Sequence, residues 1–87
     1  MNGLQEPNIT TKKFLTHIVL TLPLAEFFRE IANKELECKV SGFSSEARKA
    51  LLTHSWPGNV RELRQKIMGA VLQAQTGLVT KEHLELG

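Results

Sequence analysis

Arg61 is the side chain in this sequence with the clearest chemical use. It stands in the octet Trp56-Pro57-Gly58-Asn59-Val60-Arg61-Glu62-Leu63, which reads as an aromatic anchor, a rigid turn and the capped start of a helix. Val60 and Arg61 are adjacent on that helix and cannot both face a core, so Arg61 projects outward. A cation in a first turn opposes the helix dipole by a few tenths of a kcal/mol. Two readings follow. Arg61 is a surface arginine paired with Glu62 or Gln65, or its guanidinium is aimed at an anion. Phosphate is the anion its planar fork suits better than a lysine would. Trp56 reads as a packing anchor between helices.

The other residue types with chemical potential are scattered. The glycines stand singly at 3, 42, 58, 69, 77 and 87, so the sequence holds neither a G-x-x-x-x-G-K-S/T phosphate loop nor a G-x-G-x-x-G turn. His17, His54, His83 and Cys38 lack metal-ligand spacing. The histidines read as solvated or hydrogen-bonded side chains, and Cys38 as an ordinary half-buried thiol. Nothing is arranged as nucleophile, base and orienter. The expectation is no catalytic residue, no metal site and no catalysis by this chain alone.

The elements that must position Arg61 are helical in pattern. Residues 1 to 9 hold Gly3, Pro7 and two asparagines and read as a loose tail. Phe14, Leu15, Ile18, Val19 and Leu22 follow helical spacing, with Thr10 or Thr11 as N-cap. Their β-branched content leaves a strand as the alternative. Pro23 is expected to end or kink any helix before it. Leu24, Phe27, Phe28, Ile31 and Ala32 then form the stripe of an amphipathic helix running to about Leu36. Ser41-Gly42 closes a loop, and Ser44 caps a helix buried through Ala47, Ala50 and Leu51, with Glu46 near its positive end. Residues 54–58 break it. Asn59 caps a long helix with Val60, Leu63, Ile67, Ala70, Val71 and Ala74 on one face, stopped by Gly77. Thr80 caps a short turn from Lys81 to Leu86. The fold expected is all-α, a small bundle of four to five helices with no sheet.

Composition sets the outer limits. The chain has 87 residues, 41% hydrophobic and 23% charged, with a formal net charge of +2. That fits one small domain with a modest core. The charge is too low to imply nucleic acid unless the basic residues cluster. No apolar run approaches the ~18 residues of a membrane span. A lone cysteine, with no signal-peptide cleavage site after Phe14 to Leu22, points to the cytoplasm.

The octet at 56–63 resembles the sensor-II motif of bacterial sigma-54-dependent transcription activators, which are AAA+ ATPases. Leu24-Ala25-Glu26-Phe27-Phe28 is similar to the first helix of that family's lid. Gly42-Phe43-Ser44 with Ala47 is similar to the start of its second helix, and Leu51 stands five residues before the tryptophan. Val79-Thr80-Lys81-Glu82-His83-Leu84 resembles the motif that ends the lid. The likeness covers Leu24 to Leu86, so residues 23–87 are expected to form an AAA+ helical lid. Residues 1–22 are then a divergent or vector-derived segment, for the family's arginine-rich stretch before the lid is missing there. Gln65 and Gly69 also depart from the family pattern.

The resemblance implies that the lid packs on a nucleotide-binding core, absent from this sequence. Arg61 would reach the terminal phosphates of ATP bound there with magnesium, and Gly58, Asn59 and Val60 would line the nucleotide's edge. Hydrolysis would be coupled to lid rotation and to remodelling of the sigma-54 RNA polymerase holoenzyme. This chain would hold no nucleotide tightly and make no direct contact with DNA or membrane. Two alternatives stay open. Ser44 to Gln75 could be a DNA-binding helix-turn-helix presenting Arg61, Arg64 and Lys66. The whole chain could also be a stand-alone helical protein-interaction module.

Overall fold

In the computed structural model, residues 9–56 and 59–86 are described, with side chains from residue 20 onward. The tail reading falls outside the described residues, as does Gly58, except at Ile9, which opens a helix and so places Thr10 and Thr11 inside it rather than at its N-cap. The order is α1 (Ile9–Leu36), β1 (Lys39–Phe43), α2 (Ser45–Thr53), α3 (Asn59–Ala74), β2 (Thr76–Val79) and α4 (Lys81–Leu84). The protein is mainly helical, as expected, with two corrections to its elements and smaller ones at single residues.

The first is that α1 runs unbroken through Pro23. A proline removes one donor and crowds one turn. Pro23 lies on the exposed side of the helix. The turns on either side keep their own bonds. The buried face of α1 is Ala25, Phe28 and Ala32, with Thr21 above them, whereas Phe27 is 56% exposed. The stripe expected through Phe27 is thus rotated by one residue.

The second correction is a small parallel sheet, β1 paired with β2, which the helical reading left out. Lys39 pairs with Thr76 and Phe43 with Val79, with an irregularity between Val40 and Gly42. Parallel strands need a long crossover, and here α2 and α3 together supply it. The outer edge of β1 is occupied by α1. The Asn33 side chain accepts from the Val40 N–H at 2.9 Å and donates to the Val40 carbonyl at 2.8 Å, and Arg29 donates to the same carbonyl at 2.7 Å. Asn33 thereby serves Val40 as a neighbouring strand would.

The core lies where these elements meet. Val40 and Phe43 of β1, Ala47 and Leu51 of α2, Leu63, Ile67, Ala70 and Val71 of α3, Val79 and Leu84 join the α1 face and Trp56 in one cluster. Ser44 caps α2 as expected, its Oγ accepting from the Ala47 N–H at 3.0 Å. The stop of α3 differs from expectation. Gln75, at φ 65°, takes the left-handed position after the helix, and Gly77 lies inside β2.

Candidate functional site

The connection from α2 to α3 positions Arg61, and tight local bonding holds it. His54 ends α2 with its N–H donating to Ala50 O at 3.0 Å. Trp56 follows with a left-handed φ of 54°, a conformation that costs a bulky residue energy and persists only when its surroundings fix it. Two contacts do so here. The indole is buried to 6% exposure, and its N–H donates to Leu51 O at 2.9 Å. The Asn59 N–H then donates to Trp56 O at 2.9 Å. Asn59 itself has φ 61°, which asparagine tolerates better than most residues, and it is the first residue of α3. Trp56 is the packing anchor its type implied.

From this base the first turn of α3 points Val60 and Arg61 outward. Val60 is half exposed rather than on the core face expected of it, because the buried stripe begins only at Leu63. Arg61 is exposed. The pairing with Glu62 considered for it is not what the structure shows: Glu62 Oε2 lies 3.0 Å from His54 Nε2. Among the described residues, the Arg61 guanidinium has no hydrogen-bond or ion-pair partner. Asn59, Val60 and Arg61 therefore form one exposed surface at the positive end of a long helix, where an anion is favoured.

Further along α3, two side chains are tied to the residue that follows α4. Lys66 Nζ donates to Glu85 O at 3.0 Å and Gln73 Nε2 donates to Glu85 Oε2 at 2.6 Å. The Thr80 N–H donates to His83 Nδ1 at 2.9 Å at the start of α4. An open groove of about 270 Å³ lies beside these bonds, flanked by Glu62, Lys66, Gly69 and His83. Lys66 is thereby engaged within the fold, which leaves α3 a poorer DNA-reading helix than its basic residues implied. No group of three or more metal-ligating side chains is found among the described residues. No described helix is long and apolar enough to cross a membrane.

The functional detail that sequence reasoning missed is the His54–Glu62 contact. A spacing of eight residues across a turn carries no periodic signal, and the described turn includes positive φ angles at Trp56 and Asn59 that residue type does not announce.

A small helical lid, closed by a two-stranded parallel sheet and presenting an arginine at a helix start, is the class these features define. The AAA+ ATPase lid domain family matches residues 21–86, and the chain belongs to that family. It is 42% identical to the alginate biosynthesis transcriptional regulatory protein AlgB of Pseudomonas putida over 76% of this chain and 15% of the relative. It is 38% identical to the response regulator protein FleR of Pseudomonas aeruginosa over 72% of this chain and 13% of the relative. Identity to the nitrogen fixation protein VnfA of Azotobacter vinelandii is 33%, over 72% of this chain and 12% of that protein. The resemblance to the lid of sigma-54-dependent activators agrees with these matches. The chain spans only 10–18% of the length of the curated relatives it matches.

Proposed function

We propose that this lid completes an ATP site on a separate AAA+ nucleotide-binding core, with Arg61 as the sensor of the terminal phosphates. The carrying observation is that Arg61 is exposed at the start of α3 without a partner among the described residues, while the carboxylate beside it meets His54. An arginine so placed can bind a phosphate oxygen in bidentate fashion and stabilise charge developing on it. ATP with magnesium, held mainly by the core, supplies the phosphoryl group and the free energy. Asn59 and Val60 line the nucleotide's edge, and Gly58 between Trp56 and Asn59 belongs to the same stretch. The lid thus binds and orients. The catalytic groups and the phosphate loop belong to the core.

Within a sigma-54-dependent activator in the bacterial cytoplasm, loss of the terminal phosphate would free Arg61 and let the lid turn against the core. That rotation would be the lid's share in remodelling the sigma-54 RNA polymerase holoenzyme. Residues 23–87 carry this role, joined by Thr21 and Leu22, which α1 brings onto the same core. The test is Arg61→Ala in an intact ATPase bearing this lid, with turnover and thermal midpoint measured together. Turnover should fall at least 10-fold while the midpoint holds, since an oxyanion-binding donor is worth about 10²–10³ in rate. Unchanged turnover would dismiss the sensor role.

A further inference from the structure

We infer that His54 and Glu62 form a clamp that positions Arg61. This inference rests on the sensor reading of Arg61 and names the residues that hold it in place.

Glu62 is the immediate neighbour of Arg61 in the first turn of α3, and His54 is the cap at the end of α2. An ionised carboxylate only accepts hydrogen bonds, so the 3.0 Å contact is made by an imidazole N–H at Nε2 donating to Glu62 Oε2. The same imidazole stands edge-on to the Trp56 indole, with ring centroids 4.4 Å apart and planes at 78°. His54 is thus fixed on one side by the core anchor and on the other by the first turn of α3. The two side chains are 25% and 24% exposed, so the contact is sheltered from much of the water that weakens surface pairs.

A helix that begins after a turn can rotate about its axis and tilt at its free end. Leu63 and the later core residues limit the tilt, but the four residues before Leu63 have no buried side chain among them. The Glu62–His54 bond is one side-chain tie between that first turn and the end of α2. Buried Leu63 sets the azimuth of the helix, and the bond keeps the first turn from unwinding, so that Arg61 holds its set angle from Leu63. The bond also keeps the Glu62 carboxylate turned toward His54, leaving the guanidinium's charge for an external anion. Both members are positioning residues, acting on the ligand only through Arg61.

The test uses the full chain without nucleotide, labelled with 15N, as His54→Ala, Glu62→Ala, the double variant and Glu62→Gln. Backbone order parameters of Asn59 to Glu62 are read beside those of Ile67 and Val71, with thermal midpoints. The clamp predicts that either alanine lowers the order parameters of Asn59 to Glu62 from about 0.85 to below about 0.6, the rigid and flexible ranges. Ile67 and Val71 should stay rigid, and the midpoint should move less than about 6 °C. The double variant should be no looser than either single one. Glu62→Gln, which keeps an accepting oxygen, should retain the order. Unchanged order in both alanine variants would overturn the clamp, as would loosening of all of α3 together with the core. Since no nucleotide is present, failure here would leave the sensor role of Arg61 to its own turnover test, and failure there would leave this result standing.

Discussion

Two glycines should answer the same substitution with opposite signs. Gly69 lies in the interior of α3, is exposed, and a Cβ added there would meet nothing within 4 Å. Its replacement by alanine therefore brings only the helix-propensity gain, ~0.8–1.0 kcal/mol. For a domain of this size that is a rise in thermal midpoint of about 4–8 °C. Gly77 also has open space for a Cβ, but its φ is +72°. Alanine there must take a left-handed backbone, at a cost of roughly 1 kcal/mol or more, and the midpoint should fall by about as much as the other rises. Circular dichroism melts of the two variants and the parent, at one concentration and one scan rate, measure both effects. The double variant should lie near the parent, since the sites share no described contact and distant changes add. A Gly69→Ala variant that melts below the parent would refute the reasoning, for it would mean that the groove beside α4 needs the missing side chain even in the isolated chain.

Other expectations follow from the same geometry. Trp56→Ala removes a buried indole with its hydrogen bond and should cost roughly 3–5 kcal/mol, read as a drop in urea midpoint; an unchanged midpoint would contradict the anchor. Asn33→Ala leaves the Val40 carbonyl to Arg29 but strips the Val40 N–H of its acceptor. A loss of about 1–2 kcal/mol is expected in chemical denaturation. Arg61→Ala should leave the isolated chain within ~0.5 kcal/mol of the parent, and a larger loss would make the arginine structural. Anisotropy of labelled duplex DNA should show no submicromolar binding, because Lys66 is engaged with Glu85 and the net charge is only +2; tight binding that fell steeply with salt would revive the helix-turn-helix alternative.

Helix α3 was legible because Leu63, Ile67, Ala70 and Val71 repeat at helical spacing and all are buried. The Ser44 cap and the Trp56 anchor were legible from residue type, since a hydroxyl before a helix and a large amphipathic ring have few other uses. The strands were not. Five and four residues, each interrupted by a glycine, are too short to show a period of two, and their pairing depends on the crossover between them. The continuity of α1 was hidden by Pro23, whose local penalty is outweighed by the helix around it. Ending α3 at Gln75 rather than Gly77 follows from a bond no local rule anticipates: Gln75 O accepts from the Lys39 N–H at 2.7 Å. At the candidate site, Arg61 was legible as outward-facing. Its freedom from Glu62 was not, because that depends on where His54 sits in space.

The parallel pairing of β1 with β2 has a mechanical consequence. The C-terminal end of α3 is moored to the start of β1 through Gln75 and Lys39, while its N-terminal end carries Arg61. The helix between is held on the core by Leu63, Ile67, Ala70 and Val71, so it tilts only with the lid as a whole, carrying the sheet at one end and Arg61 at the other. Arg61 stands 13 residues from Ala74, an arm of about 20 Å at 1.5 Å per residue. A tilt of about 5° then displaces the arginine by roughly 1.7 Å, enough to take it out of the ~2.7–3.2 Å range of a hydrogen bond. Small angular changes in the lid are thereby converted into making or breaking a contact at its tip.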